Sequence, residues 1–111
     1  MLTLSTGALA LLLTGSAYAE FHCSVDVKKV RILGNGRVTV MHSGRNQFTL
    51  ICNLNGDWKG VGVSTCAMWT SMLQNIKKND GRAVFSYKGT GTCSSLPVYA
   101  ASPVPTFIED T

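Results

Sequence analysis

Apolar and polar residues alternate over Ser24 to Leu33 (SVDVKKVRIL), with Val25 and Val27 in one phase and Val30 and Ile32 in the other. Alternation of this kind predicts a half-buried strand, and the change of phase at Lys28-Lys29 calls for a bulge or bend. Gly34-Asn35-Gly36 is turn chemistry, and the alternation resumes over Arg37 to His42 (RVTVMH), so the two runs read as a hairpin. A second turn at Ser43 to Asn46 leads into Gln47 to Leu54 (QFTLICNL), which carries Phe48, Leu50 and Cys52 on one face. Three strands joined by short turns predict a meander.

Past Asn55 to Gly62 the period changes. Cys66, Trp69, Met72, Leu73 and Ile76 recur at helical spacing, Ser64 has the chemistry of an N-cap, and Asn79-Asp80-Gly81 is a stop signal. Arg82 to Lys88 (RAVFSYK) is a fourth strand and Gly89 to Ser95 a loop. Pro97, Pro103 and Pro105 limit regular structure in the tail, where Thr106 to Glu109 has room for a short fifth strand. The expected class is mainly β with one helix, in the order β-β-β-α-β-(β). That is the order of the OB-fold, a small barrel plugged at one end by the helix between its third and fourth strands.

Residues 1–19 have an apolar centre around Ala8 to Leu13 and end in Ala17-Tyr18-Ala19, the small-x-small pattern of a cleaved signal peptide. The apolar run is too short to span a bilayer, which takes about 20 residues. No Lys or Arg precedes it, which suggests a start a few residues upstream. Residues 20–111 then form a single OB-like domain with a proline-containing tail, secreted or periplasmic, with no membrane span once the leader is cut.

Cys23, Cys52, Cys66 and Cys93 all follow that cut, in an even number that reads as two disulfides in an oxidising compartment. No CxxC or HxxxH pair supports a metal or redox site, and no metal or other cofactor is expected. In the OB order the start of the first strand lies beside the end of the fourth, and the third strand leads into the helix. The expected pairs are Cys23 with Cys93 and Cys52 with Cys66. The net charge of +4 comes from ten Lys and Arg spread along the domain rather than packed in a run. Solvated faces explain that spread better than nucleic acid does, and the charge favours an acidic glycan or lipopolysaccharide as partner class.

Catalysis has little to work with: two histidines, His22 and His42, and six acids placed mostly in loops and at element ends. With the cysteines paired, no thiolate remains as a nucleophile. The chain therefore reads as a non-catalytic binding module. Its candidate ligand loop is Asn55, Asp57, Trp58 and Lys59, where a flat apolar ring is flanked by hydrogen-bonding groups. Trp58 either faces a partner or folds back over the barrel end. Trp69 lies on the apolar stripe of the helix and is expected in the core.

The leader, the early Cys23, the strand ending Ile51-Cys52, the helix Trp69 to Ile76, the strand Gly81-Arg82-Ala83-Val84-Phe85 and the late Cys93 together resemble the small exported B subunits of pentameric bacterial toxins, of the pertussis-like and subtilase-cytotoxin-like group. The resemblance implies an OB-fold protomer, a homopentamer with helices toward its pore, a catalytic A subunit as partner, and recognition of sialylated or other host glycans or of a cell-surface protein. It carries over no glycan-contact residue. The alternative is a monomeric periplasmic inhibitor or envelope-complex accessory protein that inserts the Asn55 to Gly62 loop into its partner.

Overall fold

The computed structural model describes residues 19–111, so the leader segment, apart from Ala19, lies outside the described residues. The elements are β1 (Glu20–Ile32), β2 (Arg37–His42), β3 (Phe48–Asn53), α1 (Val63–Lys78), β4 (Arg82–Lys88), a 3-10 turn (Cys93–Ser95) and β5 (Phe107–Asp110). All strands pair antiparallel in one sheet of order β3-β2-β1-β4-β5. The fold is thus mainly β with one helix.

The phase change in the first strand is a bulge between Val27 and Lys29. It lies where β1 changes partners: Glu20 to Asp26 pair with β4, and Val27 to Ile32 pair with β2. An extra residue sharpens the local twist, which lets a single strand serve two halves of a coiled sheet. The inner faces of both halves and one stripe of α1 close a core that includes Val25, Val38, Val40, Ile51, Leu73, Phe85 and Tyr87. Cys66, Thr70, Leu73 and Ile76 are the buried positions of α1.

The sheet is open rather than a closed barrel, with β3 and β5 at its two edges. The chain between the 3-10 turn and β5 touches the β3 edge at one point, where the Tyr99 amide donates to the Phe48 carbonyl at 2.7 Å and the Leu50 amide donates to that of Tyr99 at 3.1 Å. Pro97, Pro103 and Pro105 flank this contact and have no amide to extend it, so the ladder stops at a single parallel bridge.

The helix also begins two residues earlier than Ser64 would set. Gly62 takes the N-cap position in extended backbone (φ −78°, ψ 168°), and no side chain caps the helix there. The cause lies upstream: Trp58 and Val61 exchange both backbone hydrogen bonds, at 3.0 and 2.9 Å, and deliver the chain to Gly62 already extended. At the other end Asp80 adopts φ +53° and the Gly81 amide donates to the Ile76 carbonyl at 2.9 Å.

Cys23 is bonded to Cys93 and Cys52 to Cys66, the pairing expected from the element order. The β1–β2 turn is held by Gly36 at φ +90°, where an added Cβ would lie 2.6 Å from Asn55 Nδ2 and 2.7 Å from Asn53 Oδ1. Those two atoms are committed, to the Asn35 carbonyl and the Asn55 amide respectively. Gly36→Ala is therefore expected to cost about 1–3 kcal/mol from backbone strain alone, read as a lower urea midpoint. Gly34→Ala, with nothing within 4 Å, is the matched control.

Candidate functional site

The loop singled out in the sequence spends most of its polar groups on its own structure. Asn55 Nδ2 donates to the Asn35 carbonyl at 3.0 Å, tying the loop to the β1–β2 turn. Asp57 Oδ2 accepts from the Gly60 amide at 3.1 Å, and Lys59 (φ +48°) and Gly60 (φ +88°) form the tight turn between the Trp58 and Val61 bridge. Lys59 Nζ reaches across to the tail and donates to the carbonyls of Ala100 at 2.8 Å and Ser102 at 2.9 Å. An ammonium has three donors, so one remains.

Trp58 is half-buried, with Arg37 and Lys59 at 5.6 and 5.5 Å from its ring, within cation–π range. Its indole Nε1 is buried without a hydrogen-bond partner among the described residues. The Cys52–Cys66 disulfide closes the base of the loop.

Of Asn55, Asp57, Trp58 and Lys59, it is Lys59 that reaches the rim of a cleft beside the loop. That cleft, of about 510 Å³, opens between the loop, the first turns of α1 and the tail, and is walled by Trp69, Lys59, Thr65, Lys88, Pro105 and Thr106. Trp69 does two things: it packs against the core and leaves part of its ring facing the cleft. The buried stripe of α1 runs through Cys66, Thr70 and Leu73, which leaves Trp69 on its flank. Helical spacing alone does not separate the centre of a stripe from its flank for so large a side chain. Lys88 and Thr106 arrive from the far end of the chain, and no local pattern marks them. The first turn of α1 has neither a side-chain cap nor an acidic residue, so the positive end of its dipole is not offset by a side chain of its own.

Both histidines and several of the acids are engaged elsewhere. His42 is fully buried against Phe85, with ring centroids 4.8 Å apart, and its Nδ1 accepts from the Gly44 amide at 3.2 Å. Burial lowers its pKa to about 4. His22 lies 3.2 Å from Glu20, and Arg82 holds Asp26 at 2.7 Å. Burial raises the Tyr87 phenol well above its ordinary range. Among the described residues no three His, Cys, Asp or Glu side chains gather as a metal site, and no helix is long and apolar enough to cross a membrane.

Compared with protein-family models, with curated proteins and with solved structures, the chain finds no match in any of the three.

Proposed function

We propose that the chain is an exported, non-catalytic binding module of OB type that takes a glycan in the cleft walled by Trp69. The observation that carries this reading is the partly exposed Trp69 in a cleft of about 510 Å³ whose lining also includes Thr65, Thr106, Lys59 and Lys88. A flat apolar wall with hydroxyl and ammonium groups around it suits a sugar, whose ring C–H face is apolar and whose rim is hydroxyls.

The OB reading draws support from the element order, from β1 serving both halves of the sheet, and from Tyr99 on the β3 edge, where a barrel-closing partner would lie. The non-catalytic reading draws support from the engagement of all four cysteines and the burial of His42. The disulfides, which persist in oxidising compartments, support a secreted or periplasmic location. On the same reading the chain is the delivery subunit of a toxin, assembled with copies of itself and a catalytic subunit. Light scattering in solution tests that assembly.

Glycan-array binding by the mature chain is expected, and Trp69→Leu is expected to weaken the best ligand by at least about tenfold, a loss typical of an aromatic anchor at a binding centre. Circular dichroism checks that the variant is folded. An array with no signal, or Trp69→Leu binding as well as the parent, would overturn the assignment.

A further inference from the structure

A second cleft lies elsewhere, and its chemistry is different. It has a volume of about 630 Å³ and is walled by Lys28, Lys29, Arg31, Phe48, Gln74 and Lys77. Along α1, Lys77 is about 18 Å from Thr65 of the Trp69 cleft at 1.5 Å rise per residue, so the two clefts belong to opposite ends of the helix.

The β1 bulge makes this wall. In a regular strand successive side chains point to opposite faces, so one of two adjacent lysines would turn inward. At the bulge the alternation breaks: Val27 is buried, and Lys28 and Lys29 are both exposed and both line the cleft. Arg31 follows from the same strand. Its guanidinium carbon sits 3.8 Å from the centroid of the Phe48 ring, and its Nε donates to Thr39 Oγ1 at 3.2 Å. Ring and hydroxyl hold the group in place, and its terminal N–H groups remain as a fork suited to a planar or tetrahedral oxyanion. The last turn of α1 supplies Lys77 and, one turn earlier, Gln74, an amide that can donate or accept.

No acidic residue lines the cleft, and among the described residues the ion pairs are Glu20 with His22 and Asp26 with Arg82, so none of its four cations is paired. The ordinary role of a lysine in the last turn of a helix is to offset the negative end of the dipole, worth about half a charge. Lys77 shares that role with Lys78. Lys28, Lys29 and Arg31 have no helix end of their own to offset. Four like charges around one concavity repel one another in the empty protein and are relieved by a bound anion. The cavity is several times the size of a lone sulfate or phosphate ion, which points to a ligand with several such groups on one scaffold.

We infer that this cleft is a binding site for a multiply sulfated or phosphorylated saccharide, separate from the Trp69 cleft and independent of whether that cleft binds sugar. Calorimetry with sucrose octasulfate as the probe and unsubstituted sucrose as the control reads it. Saturable one-to-one binding of the octasulfate, weakening as salt is raised, is expected, with no binding of sucrose.

Exposed charge pairs are individually weak, so Lys28→Gln with Lys29→Gln, which removes two of them, is expected to weaken binding about tenfold. Lys77→Gln should weaken it severalfold, whereas Lys78→Gln, next to it on the helix and equal in charge, should change it less than twofold. Trp69→Leu should leave it unchanged, which separates this site from the glycan cleft. Equal losses for Lys77→Gln and Lys78→Gln would reduce the effect to net charge and overturn the site. Tighter binding to phosphatidylglycerol vesicles or to a single-stranded oligonucleotide than to the octasulfate would overturn the ligand class.

Discussion

Replacing Cys23 and Cys93 together with alanine is expected to cost the fold about 4 kcal/mol, and replacing Cys52 and Cys66 about 3 kcal/mol. The difference follows from the loops that the bonds close: the first joins residues 70 apart in sequence and the second residues 14 apart. A longer loop removes more freedom from the unfolded chain, by a term that grows with the logarithm of its length. The folded side of the balance points the same way. Cys93 anchors the start of a tail that is also tied by the Tyr99 bridge to β3, the Lys59 bonds to Ala100 and Ser102, the bond from Arg45 to the Leu96 carbonyl, and the Thr106 bonds to the Ser86 carbonyl just before β5 pairs with β4. In a small domain whose whole stability is of order 5–15 kcal/mol, either loss is large. At about 4–8 °C per kcal/mol for a chain of this size, the Cys23–Cys93 variant should melt more than about 15 °C below the parent. Thermal and urea unfolding of both double variants measure this. A greater loss for the Cys52–Cys66 variant would mean that the 55–62 loop, and not chain entropy, sets the ranking.

How much of this was legible in the sequence depends on how far apart the partners lie. The hairpin at Gly34-Asn35-Gly36, the limits of β2 and β4 and the bulge at Lys28-Lys29 are written locally, in turn residues and in alternation, and the structure agrees with them. The disulfide pairing was readable because element order fixes which strand ends meet. The open sheet was not, since closure depends on whether the tail can offer amides to β3, and the prolines decide that only once Tyr99 is known to lie there. Asn55 and Lys59 looked like ligand groups because their composition is the same whether they face a partner or bond to Asn35, Ala100 and Ser102. Lys28 and Lys29 looked like ordinary solvated charge. Their convergence with Arg31 and Lys77 comes from a bulge and a helix end that meet only in three dimensions.

Acid is a condition in which the fold should weaken, and His42 sets the window. Its ring is fully buried against Phe85, and burial lowers its pKa from the ordinary 6.5 to about 4. The folded protein therefore holds the neutral imidazole at pH values where the unfolded chain already binds a proton. Between about pH 6.5 and 4 the unfolded state carries more protons, so stability rises with pH across that interval and falls as the solution is acidified. Above pH 6.5 the contribution is fully present. By pH 4 most of it is lost, about 3 kcal/mol at 1.36 kcal/mol per pH unit. His42→Asn tests the assignment, because its side-chain oxygen can accept from the Gly44 amide as Nδ1 does, and it has no proton to gain. The variant begins less stable, since a smaller side chain leaves space beside Phe85, so the slope and not the level is the readout. Urea midpoints should fall from pH 6.5 to pH 4 in the parent and run flatter in His42→Asn. Parallel slopes would assign the acid sensitivity to the carboxylates. A flatter slope would make one buried imidazole, held at the turn that follows β2, the group through which acid loosens the sheet.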